Sequence, residues 1–363
     1  MTNYKKLQIK HDNCIFISDI HFGIRSASEE WQTNISDYFY KWFIPYVESE
    51  IKRLENNVCL IVLGDVFDDR KNLNLAVNDM AIDIFSQLAQ LLPVYVLNGN
   101  HDLYKRTNQG VTSLKSLKNI SNLTLITEPT LISFLSKKTA IAIPYLGDIS
   151  KESQCLVDNA KCNYAFMHTD IAKMKYDNGQ NIIVGVDADA FGGNIYSGHI
   201  HKRQSYKNIT YVGAPYQISR GDIGNKKGIY TLDVVADTVK FKENKFSPIF
   251  QKILIDNYLE MSTSEKIKVL TNNYTDIIVT DSKKKYNIQE IYDLAAQTNA
   301  KRLMIIYNTA KDTINISEEE LKDISIEDLI EDTIDNLEDT DDATKIRLKR
   351  LNANYLKSIE YLD

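Results

Sequence analysis

The chain has 363 residues, 43% hydrophobic and 25% charged, with a net charge of −6, enough for one large domain and one or two small ones. Its four cysteines, Cys14, Cys59, Cys155 and Cys162, form no CxxC pair, which argues against a zinc ribbon or a disulfide framework and for buried reduced thiols. No apolar run approaches a membrane span, and no apolar core follows the basic start "MTNYKKLQIK", so a soluble cytoplasmic protein is expected, with no membrane partner.

The first elements alternate between strand and helix. "NCIFIS" (Asn13 to Ser18) is a short β-rich apolar run. Glu29 to Leu54 places Trp31, Ile35, Phe39, Trp42, Phe43, Tyr46 and Val47 near helical spacing, which predicts a long helix kinked or split at Pro45. "VCLIVL" (Val58 to Leu63) reads as a buried strand. Leu75 to Leu92 reads as a helix, with Ala76, Met80, Ile84, Leu88 and Leu91 at intervals of three and four. "PVYVL" (Pro93 to Leu97) is a third strand. Such alternation predicts a largely parallel sheet covered on its faces.

After Gly110 strand signals dominate: "LTLIT" (Leu123 to Thr127), "TLISFL" (Thr130 to Leu135), "TAIAIPYL" (Thr139 to Leu146) and "NYAFMH" (Asn163 to His168). "NIYSGHI" (Asn194 to Ile200), "NITYVG" (Asn208 to Gly213) and "KGIYTLDVV" (Lys227 to Val235) follow. With no helix expected between them, they predict a second, more antiparallel sheet packed face to face on the first. Beyond "FSPIF" (Phe246 to Phe250), "QKILIDNY", "YTDIIVTD" and "RLMIIYN" alternate with helices near Ser264 to Leu270 and Ile288 to Gln297. The predicted organisation is residues 1–245, a small α/β module at 246–310, and a tail at 311–363.

Charge is uneven. Ser317 to Asp342 holds 13 acidic residues and one basic residue, a net −12, which leaves +6 on the rest of the chain. That balance permits a polyanionic substrate. A helix capped by Ser325 would present Ile326, Leu329, Ile330, Ile334 and Leu337 on one face. A last helix would carry Leu348, Leu351, Tyr355, Ile359 and Leu362.

The three early strands share one property. Each ends in polar, metal-competent residues: "SDIHFG" with Asp19 and His21, "GDVFDD" with Asp65, and "GNHD" with Asn100, His101 and Asp102. In a parallel sheet these ends share the edge where open α/β sheets bind ligands. "NYAFMH" ends in His168, and "NIYSGHIH" in His199 and His201. Five of the six histidines, all but His11, stand at strand ends. Singly, DxH, GD or a lone histidine is more often structural; the ordered set is specific. Asp, Asn and His donors without Cys suit hard to borderline ions such as Mn or Fe. Even with one ligand taken from "GNHD", seven candidates exceed one ion's needs, so two ions sharing a carboxylate is the natural arrangement. Such a pair can polarise a phosphoryl oxygen and activate a bridging water.

The ordered set DxH, GD, GNHD, H, GHxH resembles the calcineurin-like metallophosphoesterase superfamily, which implies a two-sheet sandwich flanked by helices. "GDVFDDRK" and "YVGAPYQISRGD" (Tyr211 to Asp222) resemble the SbcD-type recombination nucleases, and the long insert between "SDIHFG" and "GDVFD" resembles their T-even phage version. The motifs cover about residues 12–245; beyond them only the layout is similar, a capping module and a helical tail. The resemblance implies that Asp19, His21 and His201 hold one divalent metal, Mn or Mg. Asn100, His168 and His199 would hold another, with Asp65 bridging. His101 would act on the scissile phosphate, and Asp102 would orient His101 by a hydrogen bond. The family usually has Ser or Thr where this chain has Ala214.

By the same resemblance the expected function is a DNA exonuclease or endonuclease working in recombination and repair. Its expected partners are DNA, an SbcC-like ATPase bound through the C-terminal helices, and a second copy of the chain through helices between Glu29 and Leu54. "GDVFDD" and "GNHD" differ from the GDxVDRG and GNHE of the protein-phosphatase subgroup. A small-molecule phosphodiesterase is the alternative, and an ATPase-docking scaffold with a lost site is disfavoured by the intact motifs. Basic pairs at Lys137-Lys138, Lys202-Arg203, Lys226-Lys227, Lys283 to Lys285 and Lys301-Arg302 are candidate phosphate contacts.

Overall fold

Alternating side chains decide the layers. The computed structural model describes residues 4–105, 108–189, 191–280 and 284–307, with Ile334, Thr344, Lys345, Leu348 and Lys349 beyond them. The helices expected from Ser325 onward therefore lie outside the described residues, apart from those five positions.

In chain order the strands are β1 (Lys5–Gln8), β2 (Asn13–Ile17), β3 (Cys59–Val62), β4 (Val94–Leu97), β5 (Leu103–Lys105) and β6 (Asn108–Thr112). Next come β7 (Leu123–Ile126), β8 (Thr130–Ser133), β9 (Thr139–Ile143), β10 (Tyr164–His168), β11 (Asn194–Gly198), β12 (Gln204–Tyr206) and β13 (Ile209–Tyr211). The last are β14 (Gly228–Asp233), β15 (Thr238–Glu243), β16 (Phe250–Leu254), β17 (Tyr274–Val279) and β18 (Arg302–Tyr307). One sheet has the order β15-β14-β2-β3-β4-β7, and the other β1-β8-β9-β10-β11-β13-β12.

In β2, Ile15 and Ile17 face the helices while Cys14 and Phe16 face the second sheet. Leu60 and Val62 of β3 repeat this against Cys59 and Ile61. Between the sheets, Phe16 packs on Phe166 and Tyr196 at ring-centroid distances of 5.3 and 5.0 Å. The far face of the second sheet, including Ile141, Ala165 and Ile195, is covered by helix Ile149–Asp158 and the loop before β11. The result is the predicted α/β sandwich of two sheets with helices outside.

The aromatic insert is helical, and Pro45 widens it rather than breaking it. Phe39–Phe43 is a π-helical turn in which the Ile44 N–H donates to the Phe39 carbonyl. Pro45, which has no N–H to offer, then falls in the first turn of helix Ile44–Arg53. Trp31, Ile35, Phe39, Phe43 and Val47 stay buried together. Helix Leu75–Leu91 begins at Asn74, whose side chain accepts from the Ala76 and Val77 amides.

The second sheet corrects three expectations. Four of its six pairings are parallel, so it is not the more antiparallel sheet predicted. β7 and β14 belong to the first sheet, where β14 runs antiparallel to β2. Helix Ile149–Asp158, capped by Asp148, stands between β9 and β10 where no helix was expected. Its sequence, "ISKESQCLVD", has too few apolar residues to signal one.

β16, β17 and β18 form a three-stranded parallel sheet with helices Thr263–Leu270 and Ile288–Gln297, as predicted, and a further helix, Ile255–Glu260. The chain divides into two units after Tyr307, and the first of them is compact. Within the first, Phe250 and Tyr274 stack at 4.5 Å and Tyr274 stacks on Trp31 at 5.9 Å. The Tyr274 hydroxyl donates to Glu30 at 2.6 Å, and Arg220 pairs with the buried Asp276 carboxylate through two hydrogen bonds.

Candidate metal centre

β2, β3 and β4 run parallel, and so do β10 and β11. Their carboxyl ends therefore bring together loops from both sheets. Asp19 and His21 follow β2, Asp65 follows β3, Asn100 to Asp102 follow β4, His168 ends β10, and His199 and His201 follow β11.

The loops reach this position through tight backbone. Asp19, His21, Asp65 and His199 all have positive φ, at 53°, 52°, 52° and 89°. That region is costly for residues other than glycine and persists where surrounding structure enforces it, often at functional sites. Amides of the first loop donate to carbonyls of the second, Asp19 to Gly64 at 3.1 Å and Phe22 to Val66 at 2.8 Å. A Cβ on Gly64 (φ 92°) would overlap the His168 ring, and one on Gly99 would overlap the Asp65 carboxylate and amide. Glycine is needed at both positions for close approach.

All seven candidate ligands come together in two groups about Asp65. Asp19, His21 and His201 each bring a donor atom within 4.8 Å of the others, and so do Asp65, His168 and His199. His21 Nε2 lies 3.0 Å from His201 Nε2 and 3.8 Å from Asp65 Oδ2. On the other side, His168 Nε2 lies 3.3 Å from Asp65 Oδ1. Asn100 Oδ1 stands 3.0 Å from His168 Nε2 and 2.7 Å from His199 Nδ1. Asp19 Oδ2 is buried with no hydrogen-bond partner among the described residues. Converging nitrogen and oxygen atoms and an unpaired buried carboxylate oxygen are what a cation would satisfy. The mixed Asp, Asn and His donor set fits divalent metal ions.

A hydrogen bond fixes one ring, and carboxylates stand near two others. His168 Nδ1–H donates to the Leu63 carbonyl at 2.6 Å. His199 Nε2 lies 3.2 Å from Asp170, and His201 Nδ1 lies 3.6 Å from Asp177. Asp177 also accepts from the Lys202 amide at 2.7 Å. Asp68 touches two site residues. Its Oδ1 stands 3.0 Å from His21 Nδ1, and its backbone carbonyl accepts from His101 Nδ1 at 2.7 Å. Asp68, Asp170 and Asp177 were not singled out from the sequence. The only signal was the second Asp of "GDVFDD".

Asp102 corrects its expected role. It does not orient the His101 ring. Its Oδ1 accepts from the Val66 and Phe67 amides at 3.0 and 3.1 Å, and its Oδ2 from Gly99 at 2.8 Å. The carboxylate thus ties the loop after β4 to the loop after β3. The His101 ring is held by the Asp68 carbonyl instead, and its amide donates to Asp65 Oδ1 at 2.8 Å.

Two basic candidates are also corrected. Lys227 is only 4% exposed; it pairs with buried Asp222 at 2.6 Å and donates to the His201 carbonyl. Arg203 lies over the Phe241 ring at 4.4 Å and contacts the Tyr230 hydroxyl. Lys227 is consumed inside the fold, and Arg203 is partly buried against Phe241.

Burial and neighbouring charge set the protonation of the metal-free site. Burial would raise the Asp65 carboxyl, but His168 and His21 hold it well below the usual range. Burial opposes a charged His168, yet Asp65 and Asp19 bring it up to about 9. Burial lowers His101, and burial with the facing His21 lowers His201 well below its ordinary value. Burial and the Asp65 charge push Asp102 up to about 7. A cleft of about 910 Å³ opens beside His101, walled by Phe22, Phe67, Asp69, Arg70, Lys71 and Val77.

The calcineurin-like phosphoesterase family model matches residues 13–203, and the chain belongs to that family. It is a metallophosphoesterase, of a family that uses divalent metals. Among named proteins, it is 24% identical over 238 residues to Exonuclease subunit 1 of Enterobacteria phage T4, covering 63% of this chain and 66% of that one. It is 28% identical over 224 residues to 244L of Invertebrate iridescent virus 6, named as a phosphoesterase, covering 58% and 73%. It is 25% identical over 221 residues to the similarly named 078R of Invertebrate iridescent virus 3, covering 57% and 58%. The match thus spans just under two thirds of the phage protein. Among the described residues no helix is long and apolar enough to cross a membrane.

Proposed function

We propose that this chain is a dinuclear-metal DNA nuclease, the nuclease subunit of a complex with an SbcC-like ATPase, acting in recombination, repair or DNA end processing. The observation that carries the hydrolytic part is the convergence of two donor sets on Asp65, with His101 beside them. Asp19, His21 and His201 would hold one ion, and Asn100, His168 and His199 the other, with Asp65 shared; Mn or Mg fits the donors. When bound, such a pair polarises phosphoryl oxygens and supplies an activated water for in-line displacement.

The chain's own residues do the rest. The Asp68 carbonyl fixes Nδ1–H of His101 and leaves Nε2 for the substrate. Without substrate, burial favours the neutral ring. An arriving phosphate anion favours the charged ring, so Nε2–H can hydrogen-bond the phosphate or protonate the leaving oxygen.

The DNA part is supported by the phage relative named Exonuclease subunit 1 and by the extra module at 246–310. The word subunit in that name supports a partner. The tail at 311–363 is proposed as the ATPase-binding segment, and helices Glu29–Tyr38 and Ile44–Arg53 as the homodimer contact. The second reading, a phosphodiesterase acting on small molecules, draws on the two viral relatives named as phosphoesterases.

Cleavage of linear single- and double-stranded DNA with Mn or Mg, beside bis-p-nitrophenyl phosphate, tests between them. Hydrolysis of the small ester alone would favour the second reading. Deleting residues 325–363 should abolish co-purification with the ATPase while Mn-dependent nuclease activity persists; loss of both would refute that division of labour.

A further inference from the structure

β5 and β6 form a two-stranded ribbon outside both sandwich sheets, and β5 begins directly after Asp102. The base of the ribbon is tied to the metal loops. The Thr112 hydroxyl donates to Asn98 at 3.0 Å, and the Ser113 amide donates to the Asp102 carbonyl at 2.9 Å. Farther out, Lys115 Nζ holds the Gly110 carbonyl at 2.6 Å. Leu103 pairs with Thr112, and both are buried. Tyr104 and Val111, the adjacent residues on the two strands, are not buried. They are 42% and 50% exposed. The register shifts between Leu103 and Lys105; irregularities of this kind near active sites re-aim side chains.

We propose that Tyr104 on this ribbon is a stacking platform for a nucleobase of the strand held at the metal centre. The inference rests on the nuclease reading. A lone exposed tyrosine needs no explanation; position makes this one different. Tyr104 is three residues from His101, so its Cα lies within about 11 Å of that residue's Cα. A stacked strand covers that distance in about three nucleotides. Lys105 is exposed next to Tyr104 on the ribbon, with its ammonium 5.9 Å from the Tyr104 ring centroid. An aromatic face with a neighbouring cation is the element that sequence-tolerant single-strand sites are built from. A small phosphodiester lacks the neighbouring nucleotides whose bases would stack there.

The test compares the full chain with its Tyr104→Ala, Tyr104→Phe and Tyr104→Trp variants. Readouts are Mn-dependent cleavage of a labelled single-stranded oligonucleotide, its binding by fluorescence anisotropy with Ca in place of Mn, and hydrolysis of bis-p-nitrophenyl phosphate. Tyr104→Ala should weaken oligonucleotide binding and raise KM about tenfold. The aromatic variants should stay near wild type, because stacking needs the ring and not the hydroxyl. Hydrolysis of the small ester should be unchanged in all four proteins, which also reports an intact fold. If wild type and Tyr104→Ala handle the oligonucleotide equally, or if the variant loses both substrates alike, the stacking role is wrong while the nuclease reading stands. A wild-type chain that hydrolyses the ester but neither binds nor cuts the oligonucleotide overturns the nuclease reading, and this inference with it.

Discussion

The backbone carbonyl of Asp68 accepts a hydrogen bond from His101 Nδ1 at 2.7 Å, while the Asp68 carboxylate stands 3.0 Å from His21 Nδ1. One residue thus holds the candidate phosphate-facing imidazole and stands against a candidate metal ligand, by two different groups. The two contacts separate experimentally, because only one of them uses a side chain.

Replacing Asp68 with Ala should therefore act through His21. Loss of such an outer partner weakens metal binding by about 10- to 100-fold. The affected site should be the one formed by Asp19, His21 and His201, read by metal titration calorimetry. His101 keeps its anchor in this variant. Unaltered affinity at both sites would show that the Asp68 carboxylate is idle.

His101→Ala should retain two ions per chain and lose roughly 100- to 10,000-fold in phosphodiester hydrolysis, the usual contribution of a positioned acid or base. Asp65→Ala should lose metal, because both donor sets share that carboxylate. Elemental analysis of the purified variants checks both statements. An ion missing from the His101 variant would contradict the proposed roles.

Asp102→Ala should behave as a folding defect. It strands three buried backbone donors, those of Gly99, Val66 and Phe67. Each unsatisfied buried group costs about 1–3 kcal/mol, so calorimetry should show a large fall in Tm. If Asp102 oriented the His101 ring instead, the variant would melt like wild type and lose only turnover.

The metal-free protein should lose stability as pH rises through about 9. His168 is the source: its pKa is raised to about 9 in the fold, largely by Asp65 working against burial. A group raised in the folded state contributes stability that is fully present below its unfolded value, roughly 6.5, and lost as pH rises through the folded value. Bound metal needs the neutral ring, so the metal-loaded protein should show a flatter melting profile between pH 7 and pH 9. Parallel denaturant titrations with and without EDTA measure the difference.

Much of the site was legible in the chain because its signals are local. Asp19, His21, Asp65, Asn100, His168, His199 and His201 each stand at or just past the end of an apolar strand, and parallel strands carry those ends to one edge. Asp102 was misread because adjacency to His101 in sequence suggested adjacency of side chains. The tight turn after β4 instead points its carboxylate back at three amides. Asp68, Asp170 and Asp177 are ordinary loop aspartates until the loops fold over the histidines. Lys227 looked like half of a basic surface pair, and only the fold reveals that it is buried against Asp222.

Apolar periodicity and strand-end chemistry, both properties of neighbouring residues, determined the two-sheet α/β class, the helical insert and the strand-helix order after Phe246, and placed the candidate ligands at strand ends. Long-range pairing decided the rest. Nothing within "LTLIT" or "KGIYTLDVV" says which sheet those segments join, because a strand's partners are set by the edges left open by others. Outer contacts at the metal loops are decided the same way. They depend on where backbone amides and carbonyls from distant segments come to rest, which no side-chain pattern encodes.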